Sequence, residues 1–335
     1  MTKKRVLTGI TTSGTPHLGN YIGAIRPAIQ ESLSGDCDSF FFLADYHALI
    51  KCQDPELVHK STLEIASSWL ALGLNPDQVT FYRQSDIPEI TELTWILTCM
   101  TAKGLVNRAH AYKSAVQLNG INGEDSDFGI NMGLFSYPIL MAADILMFNA
   151  DVIPVGRDQI QHIEMTRDIA GRFNHIYKKT FELPEAIIQD KNNTVPGIDG
   201  RKMSKSYKNI IPLLSSEKQL KKSILKIVTN SLEPGDPKDT KDCTIHSLYT
   251  YFASKDEVDD LTNAYKEGIG WGDAKNMLFD VINRDIAPIR NKYETLSSDK
   301  TLINDLLSEG ASKVRISAKE MISNLRDSIG IKKIS

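Results

Sequence analysis

Two separated segments carry residue types suited to gripping phosphate. Gly9-Ile-Thr-Thr-Ser-Gly-Thr-Pro-His-Leu-Gly-Asn20 follows a short apolar run and opens a helical pattern. Gly14 and Gly19 let the backbone approach a bound group closely. Thr11, Thr12 and Ser13 offer hydroxyls, and His17 and Asn20 are spaced to share one face at the helix start. The N–H groups of a helix N-terminus converge there too, which suits an anion. Far along the chain, Arg201-Lys-Met-Ser-Lys-Ser206 places Lys202 and Lys205 among small hydroxyl residues. A loop with two ammonium groups can close over a polyphosphate and stabilise the charge that develops as it is cleaved. Alone, such a cluster is usually a solvated loop; the pair of segments carries the reading. Neither a P-loop nor a G-x-G-x-x-G pattern occurs.

A third constellation is a helix face. Tyr137, Met141 and Asp144 stand at i, i+4 and i+7 in Tyr137-Pro-Ile-Leu-Met-Ala-Ala-Asp144. An apolar stripe of this kind is ordinarily core packing. A carboxylate on it is harder to assign to packing, because burying one unpaired is costly.

These groups need a scaffold, and the pattern of the first half supplies one. Val6–Ile10, Ser39–Leu43, Val79–Tyr82, Asp151–Val155 and Ala186–Gln189 read as strands, with helical stretches at Asn20–Ser32, Pro55–Ala71 and Gln159–Phe173 between them. Such alternation predicts an α/β fold with a parallel sheet covered by helices. Ligands in these folds bind outside the carboxyl ends of the strands, which here means just after Ile10, Leu43 and Val155. Gly120–Gly129 reads as a mobile loop and Asn192–Tyr207 as a second one. From Ser215 the strands stop and the chain is charged and helical, with breaks near Pro234–Thr244 and Gly268–Gly272.

Composition narrows the class. A net charge of -3 over 335 residues excludes a generally basic nucleic-acid binder but leaves room for local patches. Cys37, Cys52, Cys99 and Cys243 have neither metal-ligand spacing nor the density of a disulfide framework. The basic N-terminus is followed by polar interruptions and reads as a strand entry, not a signal peptide. No apolar run approaches the roughly 20 residues of a membrane span. A soluble, reduced, cytoplasmic protein is the expectation.

His17-Leu-Gly-Asn20 resembles the HIGH signature of the class I aminoacyl-tRNA synthetases, and Lys202-Met-Ser-Lys-Ser206 is identical to their KMSKS signature. Order and separation fit as well. The chain departs from the pattern at Asn20, where the signature has a histidine, and at Thr11, where many relatives carry glutamine. The resemblance implies a Rossmann-like, doubly wound parallel sheet in residues 1–212. It implies a C-terminal all-helical, anticodon-binding domain in residues 213–335, whose last helix can pack back on the first domain. It further implies an AMP-forming ligase that consumes ATP as its Mg²⁺ complex, with no tightly bound cofactor, and a homodimer.

The short chain resembles the tyrosine and tryptophan members, whose large aromatic substrates can be selected by binding alone. Tyrosine enzymes resemble Tyr-x-x-x-Gln-x-x-Asp where this chain has Met141. A thioether suits an apolar indole, and Asp144 can accept the indole N–H, which only donates. The implied partners are therefore L-tryptophan, ATP and tRNA(Trp).

By the same resemblance His17, Asn20, Lys113, Lys202 and Lys205 carry catalysis, Lys113 reaching the phosphates from a mobile segment. Thr11, Thr12, Ser13, Gly19, Arg157, Ser204 and Ser206 fall in the ATP-binding set. Gly156 and Asp158 would hold the ribose, Val195 would touch adenine, and Met203 would do so through its backbone. His47, in Ala44-Asp-Tyr-His47, would line the indole pocket with Met141 and Asp144. Tyr137 and Gln159 would take the substrate ammonium or carboxylate. Two alternatives stay open at this level: a tyrosine-specific synthetase or other nucleotidyltransferase with a HIGH-like start, and a non-catalytic paralogue binding tRNA or a free amino acid. A zinc site of His17, His47 and His162 lacks a cysteine or carboxylate at ligand spacing. Lys178–Lys179 and Lys221–Lys222 read as solvated helix charges.

Overall fold

A computed structural model describes residues 3–12, 14–188, 194–332 and 334 of the chain. Strands β1 (Lys4–Thr11), β2 (Cys37–Ala44), β3 (Thr80–Arg83), β4 (Val152–Val155) and β5 (Glu185–Ile188) form one sheet in the order β3-β2-β1-β4-β5. Every pairing is parallel. β2 is a continuous apolar run because both faces of a parallel sheet are covered. Successive side chains alternate between faces: Phe41 enters one hydrophobic core, while Phe40 and Phe42 enter the other. From β1 the chain builds outward to β2 and β3, then returns to build β4 and β5 on the opposite side. The reversal lies between β1 and β4, and a crevice opens at their carboxyl ends.

The helices follow local signals. After β1 come α1 (Leu18–Asn20), a π-helical turn at Tyr21–Ile25, and α2 (Arg26–Leu33). The expected single helix there is thus interrupted by a widened turn. After β2 come α3 (Asp45–Ala48) and α4 (Pro55–Ala71). α4 begins where expected because Asp54 caps the N–H groups of Glu56 and Leu57, with Pro55 at the first helical position. α5 (Glu89–Met100), α6 (Lys103–Val106) and α7 (His110–Asn122) follow β3. α7 runs through Gly120 and ends at Gly123, which has φ 72°. Asn119 then ties the next turn through the carbonyls of Ser126 and Phe128. The stretch read from sequence as an open loop is therefore part helix and part pinned turn. α8 (Met132–Met147), capped by Asn131, packs between α5 and α9 (Ile160–Ile176) with most of its second half buried.

Beyond Leu213 the described residues form only helices and turns: α10 (Glu217–Leu225), α11 (Thr244–Tyr249), α12 (Lys255–Lys266), α13 (Trp271–Ser298) and α14 (Lys300–Ile329). α13 packs on α4, α10 and α11, whereas α14 returns to cover β3 and α5. That covering protects the sheet's edge strand. Arg315 pairs with Glu89 at 2.9 Å and Arg326 with Glu92 at 2.5 Å, fastening α14 to α5. No described helix is long and apolar enough to cross a membrane.

The α14–β3 crossing is close enough to require glycine. A Cβ at Gly310 would run into the backbone carbonyl of Phe81. Gly310→Ala is expected to lower unfolding free energy by about 1–3 kcal/mol, the scale of overpacking against an atom that cannot give way. Gly104→Ala, where an added Cβ meets nothing within 4 Å, should cause no loss. Urea denaturation of the two variants checks the contrast; equal stability would mean α14 does not press on β3.

Candidate active site

A cavity of about 820 Å³ occupies the crevice at the carboxyl ends of β1, β2 and β4. Gly9, Thr11, Thr12 and Gly14 line it from β1 and its following turn, and Ala44 and His47 from β2 and α3. Val155, Gly156 and Gln159 border it after β4, and α8 contributes Tyr137, Met141 and Asp144. The helix face singled out from its spacing thus borders the cavity, with Met141 also packed against the core.

At one end Asp144, only 1% exposed, is met by two donors. Gln84 Nε2 donates to Oδ1 at 2.7 Å, and His47 Nε2 lies 2.9 Å from Oδ2. Burial pushes the Asp144 carboxyl up from the ordinary range, while the hydrogen bond and charge of His47 and the hydrogen bond of Gln84 pull it back. Gln84 was not singled out from sequence. The one signal available was its place directly after the third strand, where ligand sites of this fold gather.

Beside it runs a second relay. Tyr137 Oη stands 2.7 Å from His162 Nε2, and His162 Nδ1 stands 2.8 Å from Gln159 Oε1. An amide oxygen only accepts, so Nδ1 carries the proton. Burial holds the His162 pKa below the usual histidine value, in keeping with a neutral ring. Nε2 is then an acceptor and the Tyr137 hydroxyl donates to it, leaving the phenol oxygen able to accept from a bound group.

Beyond the glycine turn that lines the cavity, His17 caps α1. Asn20 N donates to His17 Nδ1 at 3.2 Å, and His17 N donates to Asn20 Oδ1 at 3.1 Å. The remaining ring proton therefore sits on Nε2. Burial, helped by the nearby Lys205 charge, lowers the His17 pKa to about 4, so the ring is a neutral donor at neutral pH. Gly14 adopts φ 70°, and a Cβ there would stand 3.2 Å from Lys205 Nζ, which places that ammonium over the glycine turn. Desolvation lowers the Lys205 pKa. Thr12 Oγ1 is buried without a hydrogen-bond partner among the described residues.

The two signature segments meet at Met203 and are tied through the main chain that follows the lysine loop. Leu18 N donates to Ile211 O at 2.9 Å, His17 bridges Pro212, and Gly19 N points at Met203 Sδ at 3.2 Å. Buried Asn209 organises the lysine loop by donating to Asp199 Oδ1 and Lys202 O and accepting from Ser204 N. Met203 N donates to Val195 O, and both side chains are buried beneath the loop.

Not every sequence-predicted residue reaches the cavity wall. Lys113 is exposed on α7, Arg157 and Asp158 are exposed on the turn after β4, and Asn20, Lys202 and Ser206 are exposed on their segments. None of these six, nor His17, Gly19, Val195, Met203, Ser204 or Lys205, is part of the wall. Ser13 lies outside the described residues. His17, His47 and His162 are engaged separately, with Asn20, Asp144 and the Tyr137–Gln159 pair.

The family model for class I tRNA synthetases (W and Y) matches residues 2–285. The tryptophan–tRNA ligase of Neisseria meningitidis is 55% identical over 333 residues, which cover 99% of each chain. That of Pseudomonas aeruginosa is 56% identical over 98% of this chain and 74% of its own length. Tryptophanyl-tRNA synthetase from Campylobacter jejuni, in a crystal structure complexed with ADP and tryptophan, superposes with a TM-score of 0.90 at 41% identity, covering 97% of this chain and 99% of that one. Sheet order, the paired signature segments and these matches agree: the chain belongs to the class I tRNA synthetases of the tryptophan and tyrosine type.

Proposed function

We propose that this chain is a tryptophan–tRNA ligase, forming tryptophanyl-adenylate from L-tryptophan and ATP and transferring the amino acid to the 3′ end of tRNA(Trp). The observation that carries the reading is one cavity with a buried acceptor, Asp144, beside Met141, next to the glycine turn crossed by Lys205. The indole N–H takes a free lone pair of Asp144, and Met141 lies along the ring. His47 completes the pocket by holding Asp144. The Tyr137 oxygen and Gln159 receive the substrate ammonium and fix its carboxylate toward the phosphates.

The substrate carboxylate attacks the α-phosphate of ATP, which enters as its Mg²⁺ complex, and pyrophosphate leaves. Positioning and charge stabilisation do most of such work, and no protein nucleophile is required. His17 donates through Nε2–H, and Asn20 keeps that ring oriented. Lys202 and Lys205 meet the charge on the departing pyrophosphate, with Lys113 reaching in from α7. Thr11, Thr12, Ser13, Ser204 and Ser206 bond phosphate oxygens, Gly19 lets the nucleotide lie close, and Gly156 and Asp158 hold the ribose, with Arg157 beside them in the ATP-binding set. Val195 and the Met203 backbone border the adenine. In this reading residues 1–212 are the catalytic domain and residues 213–335 read the anticodon, in a cytoplasmic homodimer.

Lys205→Ala is expected to slow adenylate formation in single turnover by about 10²-fold, the scale of losing one charge-stabilising donor, with little change in tryptophan affinity. An unaltered rate would remove Lys205 from the mechanism. Asp144→Ala leaves the indole N–H unpaired, which costs about 1–3 kcal/mol. The ratio of kcat/KM for tryptophan over tyrosine should fall accordingly, and an unchanged ratio would refute the role given to Asp144.

A further inference from the structure

Asp144 touches the cavity, but its orientation is set from behind. Gln84 opens the short 3₁₀ turn Gln84–Asp86 that follows β3 and is 0% exposed. Both ends of its amide are bonded: Nε2 to Asp144 Oδ1 at 2.7 Å, and Oε1 to the Tyr46 N–H at 3.1 Å. A backbone N–H can only donate, so the amide oxygen must face Tyr46 and the NH₂ must face the carboxylate. Tyr46 precedes His47, the other donor to Asp144. Asp45 accepts from the Ser85 backbone and hydroxyl, binding the same turn to α3. One side chain thus links the β3 turn, α3 and α8 around a single carboxylate.

We infer that Gln84 is a positioning residue that sets amino-acid specificity, by holding Asp144 in place as a pure acceptor for the substrate N–H. The inference rests on the reading of Asp144 as the indole partner. An ionised carboxylate has lone pairs to spare after two bonds, so both Gln84 and His47 leave it able to accept a third. Remove the Gln84 donor and Oδ1 is left bare in a site that already disfavours charge. The group then takes up a proton more readily, and a protonated carboxyl sets an O–H against a substrate group that is itself a donor. The charged and titratable groups that act on Asp144 are His47 and Asp45 from α3; in turn burial, and after it the Asp144 charge, raises the pKa of Tyr82 on β3. Gln84 differs from these in being unable to ionise, so it donates at every pH.

The test compares adenylate formation by the full chain with tryptophan and with 3-(benzothiophen-3-yl)alanine, in which sulfur replaces the N–H. Wild type, Asp144→Ala, Gln84→Glu and Gln84→Met are measured from neutral to acidic pH. Gln84→Glu keeps an acceptor for the Tyr46 N–H but sets a second carboxyl against Asp144; Gln84→Met removes both bonds. In each, the preference for tryptophan over the sulfur analogue should fall by roughly tenfold or more, the scale of one unmet buried hydrogen bond. The acid limb of kcat/KM for tryptophan should move to higher pH, while the analogue changes far less. A merely structural role would lower both substrates together. If Gln84→Met does not fold, Gln84→Glu decides. A preference lost in Asp144→Ala but kept, with its acid limb, in the Gln84 variants overturns the inference alone. A wild type that does not distinguish the two substrates overturns the reading of Asp144 and this inference with it.

Discussion

A carboxylate placed almost wholly out of water imposes the strongest constraint on this molecule. Burying an unpaired charge costs several kcal/mol, so Asp144 exists there only because donors meet it. Those donors come from two other elements, Gln84 after β3 and His47 on α3. β3 must therefore end where it does, α3 must start directly after β2, and α8 must lie across both. The parallel sheet makes this possible, because it delivers the ends of β2 and β3 to the same side as those of β1 and β4.

The end that carries His17 and the lysine loop obeys a different logic. Among the described residues no charged side chain is deeply buried there. The order comes from bonds between segments almost two hundred residues apart in sequence, from the Leu18 N–H to the Ile211 carbonyl and from the Gly19 N–H to the Met203 thioether. The first glycine turn and the lysine loop are thus built as one surface, with His17 kept neutral and Lys205 held across Gly14. α14 closes the arrangement from outside: Arg83, adjacent to Gln84, bonds both Asp86 and Asn304 of α14. The helical half and the pocket therefore share a boundary only one residue from the amide that holds Asp144.

How much of this was legible depended on whether the cause was local. α4 reads correctly because Asp54 and Pro55 announce its start, and β2 because an apolar run between polar breaks has few other uses. The i, i+4, i+7 face of α8 was legible for the same reason, and it does line the cavity with His47 and Gln159. The π-helical turn at Tyr21–Ile25 and the continuation of α7 through Gly120 were not, since helix spacing does not record a one-residue widening and a single exposed glycine weakens a helix without ending it. Gln84 escaped because its meaning lies in two partners from distant segments. Lys113 was placed by resemblance alone; it is exposed on α7 and is not among the residues of the cavity wall.

The central claim is that a buried acceptor beside a paired phosphate site selects tryptophan for activation by ATP. Amino-acid-dependent exchange of pyrophosphate into ATP, run on the intact chain with tryptophan, tyrosine and phenylalanine in turn, tests it most directly. Strong exchange with tryptophan and weak exchange with the other two is expected. Exchange driven equally well or better by tyrosine, or by none of the three, would contradict it.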